Sequence, residues 1–162
     1  MSAIDYINKV VMPAALSLLP PHMDSPAARS MLLAIGLQES RFEHRFQIGG
    51  PAHGFWQSEY GGGAWTGVLT HAATSKISRD LLKAMAYGEP DIGDYKGIAH
   101  NDILACALAR LLLWTHPKPL PGRGDAVYAW TYYRDTWRPG KPHWLTWTDF
   151  YTQAWGVVDA NG

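Results

Sequence analysis

The sequence has little cysteine, no excess of charge of either sign and no long apolar run, and each of these absences excludes a class of protein. The single cysteine, Cys106, cannot form a disulfide within the chain, and its apolar neighbours predict a buried residue rather than a reactive thiol. Lys and Arg number 14 and balance 14 Asp and Glu, which argues against a nucleic-acid-binding domain, since such domains carry a basic excess. No apolar segment approaches the roughly 20 residues that a membrane-spanning helix needs, so we expect no membrane insertion.

Signals for export and for metal binding are also missing. Residues 1–6 lack the basic and apolar regions of a secretory signal peptide. We therefore expect the protein to stay in the cytoplasm of a host cell until something else delivers it. The 7 histidines form no metal-ligand pattern, because His44 and His53 are separated by a glycine-containing loop. The sequence thus predicts neither a metal nor another cofactor.

The periodicity of helices is the main positive signal. The 162 residues fit one domain, 1–162, and a hydrophobic content of 47% suffices for a sizeable core. Apolar residues recur at helical spacing, which predicts a mainly α-helical fold. Pro13 is expected to bend or interrupt the first helix, while Asp24 or Ser25, Asn101 and Asp125 are expected to cap later ones. The predicted helices span residues 3–18, 27–41, 64–72, 76–87, 100–115, 126–137 and 148–158.

Glycine-rich segments separate these helices. Residues 46–63 contain Gly49-Gly50, Gly54 and Gly61-Gly62-Gly63, which predicts an irregular loop or a small hairpin, the only segment expected to form strand. A second loop, rich in Gly and Asp, is expected to run through Gly97. Flexible segments of this kind allow the backbone to pass close to a ligand.

Glu39 lies near the C-terminal end of a helix that is otherwise apolar. A carboxylate gains nothing from the helix dipole there, because that end favours cations. On the residues alone, Glu39 is either an ordinary surface residue or an acid beside a sugar-binding cleft formed by the following loop. Gln57 and Trp56 on that loop would supply a hydrogen-bonding group and a flat ring.

The stretch from Gly36 to Gln57 resembles the signature of the family 23 lytic transglycosylases and goose-type lysozymes. In that signature Glu-Ser is followed two residues later by an aromatic residue, and an Ala-x-Gly-hydrophobic-hydrophobic-Gln element comes at a fixed distance. The matching residues are Glu39, Ser40, Phe42, Ala52, Gly54, Phe55, Trp56 and Gln57. Downstream, Tyr133 falls where the family has a tyrosine beside the catalytic Glu, with Tyr132 as the alternative. Arg134 replaces the asparagine that follows in the family.

The resemblance implies a lysozyme-like helical domain with a small hairpin or irregular loop next to an active-site cleft. It implies that Glu39 is the general acid and base that acts on the bond between N-acetylmuramic acid and N-acetylglucosamine. The substrate-binding residues would be Ser40, Gly54, Phe55, Trp56, Gln57, Tyr132 and Tyr133.

A second carboxylate would be needed by a hydrolase that activates water, at about 6.5–9.5 Å from the acid in inverting enzymes. Glu59 is the best-placed candidate because it lies on the same loop as Gln57. Glu43, Asp91 and Asp94 are alternatives. Transglycosylase and lysozyme chemistry are not separated by the sequence.

The sequence is compatible with three functions. The first is an enzyme that cleaves peptidoglycan glycan strands, encoded by a bacteriophage and either released by a holin or carried in the virion. The second is a virion structural or assembly protein that keeps the fold as a glycan-binding module and contacts other virion proteins. The third is a chitinase-type relative that acts on another N-acetylglucosamine polymer.

Overall fold

Helices account for most of the chain in a computed structural model, which describes residues 1–161. The mainly α-helical prediction is confirmed, and within residues 1–161 the only β-type pairing consists of isolated bridges in the 46–58 region. The helices are α1 Ala3–Tyr6, α2 Met12–Ser17, α3 Pro26–Ser40, α4 Val68–Thr70, α5 Ser75–Ala84, α6 Ile92–Gly97, α7 Asp102–Trp114, α8 Ala126–Trp137 and α9 Trp144–Asp159. The residues Ile7–Val11 and Gly63–Gly67 are π-helical, and Pro21–Met23 and Ile98–His100 form 3₁₀ turns.

The first helix continues through Pro13 by changing its hydrogen-bond pattern. The π-helical segment Ile7–Val11 joins α1 to α2, and the amide of Met12 donates to the carbonyl of Ile7, five residues earlier. π turns occur mostly as single turns inside α-helices, and here the turn ends two residues before Pro13, which has no N–H.

Two of the expected caps are present and one is not. The Ser25 hydroxyl accepts a hydrogen bond from the amide of Ala28 at 3.1 Å, and Asn101 accepts one from Leu104 at 3.0 Å. Pro26 occupies the first turn of α3, where a missing N–H leaves no bond unmade. The prediction for Asp125 is wrong, because its side chain makes no capping bond to α8.

The sequence prediction missed α6 and placed the start of α9 too late. Asp91 caps α6 by accepting a hydrogen bond from the amide of Asp94 at 2.9 Å, and Tyr95 is the buried residue of this helix. Helix α9 begins at Trp144 rather than 148. There Trp144 and Trp147 both pack against Trp130 of α8, with ring centroids 5.4 and 5.7 Å apart. Tertiary packing therefore extends helices beyond their local signals.

Helix α3 lies at the centre of the core. It packs along α9 and also against α7, while α8 packs on α9 from another side. Every residue of α7 from Leu104 to Leu113 is buried, including Cys106, so the expectation of a buried cysteine is confirmed. The C-terminal end of α3 emerges from this core with Glu39 in its last turn.

No single helix among residues 1–161 has both the length and the apolar character needed to cross a bilayer. One pair, Ile92–His100 and Asp102–Trp114, satisfies the criteria of length and composition when taken together, with a bend of 111° between its two halves.

A sharp reversal of the chain ends α3. Arg41 and Phe42 both adopt left-handed backbone conformations with φ of 55°, and the amide of Arg41 donates to the carbonyl of Leu37. The reversal folds the Phe42 ring back over Gly36, where a Cβ atom would lie 2.1 Å from Phe42 Cε1. Gly36 is therefore required by the ring that covers it.

Two helical glycines are expected to respond in opposite ways to alanine. Gly36→Ala should destabilise the protein by about 1–3 kcal/mol, because the added methyl group displaces the Phe42 ring. Gly156→Ala in α9 should stabilise it by about 0.5–1 kcal/mol, since a Cβ there meets no neighbour within 4 Å and alanine is the better helix former. Denaturant unfolding measures both. Equal effects of the two substitutions would contradict this packing of Phe42.

Candidate active site

An open cleft of about 650 Å³ lies at the C-terminal end of α3. The end of that helix forms its base, and the loop that includes Phe46, Gln57 and Glu59 forms one side. The segment 137–143, which runs from the last residue of α8 to the start of α9, also lines the cleft. Glu39 lines this cleft, so the carboxylate singled out by the sequence is accessible from solvent through an opening large enough for a ligand.

The Glu39 carboxyl is unusually hard to ionise. Burial raises its pKa from an ordinary value of 4.5 to about 7, and the negative charge of Glu59 adds to the increase. A hydrogen bond from the Tyr133 hydroxyl to Glu39 Oε1 acts in the opposite direction, because it favours the charged form. Burial outweighs this bond, so a large fraction of Glu39 carries a proton at neutral pH.

Tyr133 is fixed by an aromatic cluster behind it. Its ring stacks on Trp147 with centroids 5.0 Å apart and planes 11° from parallel, and Trp130 lies 5.6 Å away. Burial and the nearby Glu39 raise the pKa of Tyr133, so the phenol stays protonated and remains a donor. The structure therefore brings together Glu39 and the tyrosine that the resemblance indicated.

Tyr132 does not belong to the cleft, so the alternative assignment was wrong. Its hydroxyl donates to the carbonyl of Leu113 at 2.8 Å, and its ring stacks on His116 at 4.0 Å. Successive residues of a helix point about 100° apart, so only one of two adjacent tyrosines can reach Glu39. Burial raises the pKa of Tyr132 to about 12, as expected for a structural tyrosine.

Ser40 borders the cleft but its hydroxyl is used within the protein. It donates to the carbonyl of Phe55 at 2.7 Å and accepts a hydrogen bond from the amide of Phe42 at 3.1 Å. The side chain is buried. The hydroxyl of Ser40 thus links the end of α3 to the loop and so positions Glu39, while its contact with substrate stays a prediction.

Three other loop residues face the core and do not line the cleft: Gly54, Phe55 and Trp56. This corrects their assignment to substrate binding. Trp56 is completely buried, and its indole N–H donates to the carbonyl of Leu32 at 2.8 Å. Phe55 is buried against Phe42 with ring centroids 5.6 Å apart. Gly54 has φ of 77° and lies so close to Ile98 that a Cβ would come within 2.8 Å of its side chain. These residues anchor the loop, because a long irregular segment needs apolar contacts of its own.

Gln57 lines the cleft, as the resemblance implied. Its Nε2 donates to the carbonyl of Gly54 at 2.9 Å, which leaves Oε1 without a partner among residues 1–161. Its backbone has φ of 51°, a conformation that costs a non-glycine residue free energy and often marks functional sites. The carbonyl of the preceding residue, Trp56, is bound by the indole N–H of Trp137 at 2.9 Å.

Glu59 is the one of the four candidate second carboxylates that lines the cleft with Glu39. Its side chain is exposed, and its charge is close enough to raise the pKa of Glu39. Glu43 follows the end of α3 and points into solvent outside the cleft, so it does not continue the helical face of Glu39. Asp91 caps α6 and Asp94 lies in its first turn, and neither lines the cleft.

The segment 137–143 is the part of the site that sequence reasoning missed. Trp137, Arg138 and Lys141 line the cleft, although they lie outside the family signature. Gln38, beside Glu39, fixes this segment by donating to the carbonyl of His143 at 2.9 Å and accepting from the Thr146 hydroxyl at 3.0 Å. The signal in the sequence was a Trp and two basic residues, Arg138 and Lys141, among two prolines and a glycine.

Tyr95 is a second residue that sequence reasoning missed, because its segment was predicted to be a loop. Its hydroxyl lies 2.7 Å from the carbonyl of Pro51 and 2.9 Å from that of Ser58, and His53 Nδ1 is 3.0 Å away. Through these contacts α6 fixes the two ends of the segment that carries Gln57.

The arrangement is suited to proton transfer. A carboxyl with a pKa of about 7 can both give up and take back a proton near neutral pH, which is the property that general acid and base catalysis needs. Within residues 1–161, no three His, Cys, Asp or Glu side chains are grouped to hold a metal ion. The chain matches no protein-family model, no curated protein and no solved structure.

The raised pKa of Glu39 predicts that this residue destabilises the folded protein at higher pH. Folding raises the pKa from 4.5 to about 7, so the folded state holds the proton more tightly and the free energy of unfolding falls as pH rises across that interval. Glu39→Gln removes the effect and should stabilise the protein by about 2–3 kcal/mol at pH 8 and little at pH 4. Denaturant unfolding at both pH values measures this.

The matched control is Glu43→Gln, which removes a carboxylate whose side chain is 65% exposed. It should change the free energy of unfolding by similar small amounts at both pH values. A Glu39→Gln protein that is no more stable than wild type at pH 8 would contradict the burial of this carboxylate.

Proposed function

We propose that this protein cleaves the glycan strands of bacterial cell wall between N-acetylmuramic acid and N-acetylglucosamine, with Glu39 as its general acid and base. The observation that carries the proposal is a buried carboxyl with a pKa of about 7 that faces an open cleft. The match of Glu39, Ser40 and Gln57 to the family 23 signature supports the choice of substrate.

The first step is protonation of the glycosidic oxygen by Glu39. The bond to the leaving sugar breaks, and positive charge develops on the muramic acid ring. Glu39 becomes a carboxylate in this step, and the Tyr133 hydroxyl, which already donates to Oε1, stabilises the new charge. Tyr133 therefore stabilises the carboxylate that Glu39 becomes after proton transfer, while burial keeps Glu39 protonated before the transfer.

The second step needs a base, and two routes are open to this site. In a transglycosylase Glu39 takes the proton from the 6-hydroxyl of the muramic acid, which attacks its own ring carbon and leaves an anhydro end. In a hydrolase a base activates water, and Glu59, which lines the same cleft, is the candidate for this role. The two routes give products that differ by the mass of one water molecule.

The cleft also supplies groups suited to sugar binding. Gln57 Oε1 is an acceptor without a partner among residues 1–161, and the half-buried Trp137 ring lines the cleft beside it. Sugar rings carry hydroxyl donors on their edges and apolar C–H faces, so an acceptor next to a flat ring is a suitable combination.

One observation favours a second function, a glycan-binding virion module without catalysis. Arg134, which stands where the family has an asparagine, is exposed and does not line the cleft. Helix α8 also continues to Trp137 without the glycine of the family pattern. Such a module would bind glycan strands and leave them uncut.

Digestion of purified peptidoglycan by wild type and Glu39→Gln, with mass spectrometry of the released muropeptides, tests the proposal. We expect the wild type to release products and the Glu39→Gln protein to release at least about 100-fold less, because the proposed general acid is removed. Anhydromuramic acid ends would identify a transglycosylase. Reducing ends that also vanish in Glu59→Gln would identify a hydrolase with Glu59 as the base.

Two controls complete this experiment. Glu43→Gln removes an exposed carboxylate outside the cleft and should leave product release unchanged. Neutral chitin oligomers test the chitinase-type alternative. If the wild type releases nothing from peptidoglycan while a control lysozyme does, the proposed activity is wrong, and binding without cleavage would point to the glycan-binding module.

A further inference from the structure

The cleft does not end at the candidate active site. A second compartment of about 870 Å³ adjoins the first and reaches towards His71 and Lys118. The two compartments share the lining residues Glu59, Gly62, Gly63, Leu112, Trp137 and Arg138. Because the shared residues include Trp137, a ligand that passes Glu39 can continue along that ring into the second compartment.

Three cations follow this path. Lys141 lines the first compartment, Lys118 lines the second, and Arg138 lines both at their junction. All three residues are exposed, and within residues 1–161 none of their charged groups has an ion-pair or hydrogen-bond partner. We call these three residues the cation row.

The acidic groups that face the cation row neutralise it only in part. Glu59 borders both compartments, and Asp135 lines the second. The amide of Lys118 donates to His116 Nδ1, so His116 Nε2 carries the hydrogen and donates it to Asp135 at 3.1 Å, and Asp135 keeps its negative charge. Glu39 also lines the first compartment and is uncharged when its carboxyl is protonated. With Glu39 protonated, three cations face two carboxylates, so the cleft has an excess of one positive charge.

We propose that the cation row binds carboxylates attached to the glycan, and that this cleft takes carboxylate-bearing strands in preference to neutral N-acetylglucosamine polymers. A glycan backbone is uncharged, so cations spaced along a sugar cleft have no partner unless the sugars carry acidic substituents. Muramic acid supplies these at regular intervals, as its own lactyl carboxyl or as the carboxyls of an attached peptide. The inference rests on the proposed function for the identity of the strand.

Equilibrium binding to the full-length Glu39→Gln protein tests the inference without requiring cleavage. The first probe is a soluble glycan strand of defined length, stripped of peptide, with free lactyl carboxylates. The second is the same strand after its carboxylates are converted to amides. We expect the dissociation constant to rise about fivefold or more on amidation at low salt, and this difference to shrink in 0.5 M salt. A strand with its peptides attached shows whether peptide carboxyls or lactyl carboxyls bind more tightly.

Substitutions on the same background locate the effect. Lys118→Gln, Arg138→Gln and Lys141→Gln should each weaken binding of the carboxylate strand by about two- to fivefold, the range for exposed ion pairs, and leave binding of the amidated strand unchanged. Lys83→Gln removes an exposed cation on α5, outside both compartments, and should change neither.

The outcomes separate this inference from the proposed function. Three results would overturn the proposal that the cation row binds carboxylates. These are equal binding of the carboxylate and amidated strands, binding of neither strand, and equal weakening of both by the three substitutions. If the wild type binds the carboxylate strand preferentially but cleaves nothing, the role of the cation row is supported and the proposed catalytic activity is contradicted.

Discussion

A carboxyl buried at the C-terminal end of α3, joined by a hydrogen bond to Tyr133, is the constraint around which this protein is arranged. Burial opposes ionisation of Glu39 and raises its pKa to about 7, while the Tyr133 hydroxyl limits the effect. Three features hold the carboxyl in this position. Phe42 folds back over Gly36 and ends the helix, and the Ser40 hydroxyl fixes that end to the loop. The core of α7, α8 and α9 then supports α3 and Tyr133 from behind.

The buried carboxyl of Glu39 also opposes folding. A carboxyl with a raised pKa lowers the free energy of unfolding at neutral pH, and the left-handed Gln57 adds backbone strain in the same cleft. The compensation comes from apolar packing elsewhere, which includes the stacked rings of Tyr133 and Trp147 and the tilted ring of Trp130 beside them. Groups that weaken a fold are typical of functional sites. The raised pKa of Glu39 is therefore stronger support for a functional role than its position in the sequence alone.

Much of the scaffold was predictable because its signals are local. Ser25 and Pro26 mark the start of α3, and Glu39 lies on the final turn that the apolar pattern predicts. What could not be predicted depends on packing between distant segments. An aromatic residue on a glycine-rich loop suits a core and a sugar cleft equally well, and only the fold shows that Trp56 is buried while Trp137 lines the cleft. Helix α6 was missed for the same reason, since Tyr95 is stabilised by contacts with the 51–58 loop.

The most direct measurement is the titration of the Glu39 side-chain carboxyl by carbon NMR, in the wild type and in Tyr133→Phe. We expect a pKa of about 7 in the wild type. In Tyr133→Phe we expect a higher value, because the lost hydrogen bond is one that favours the carboxylate. A wild-type pKa near the ordinary value of 4.5 would contradict the claim that a large fraction of Glu39 is protonated at neutral pH, and an unchanged pKa in Tyr133→Phe would contradict the role given to the tyrosine.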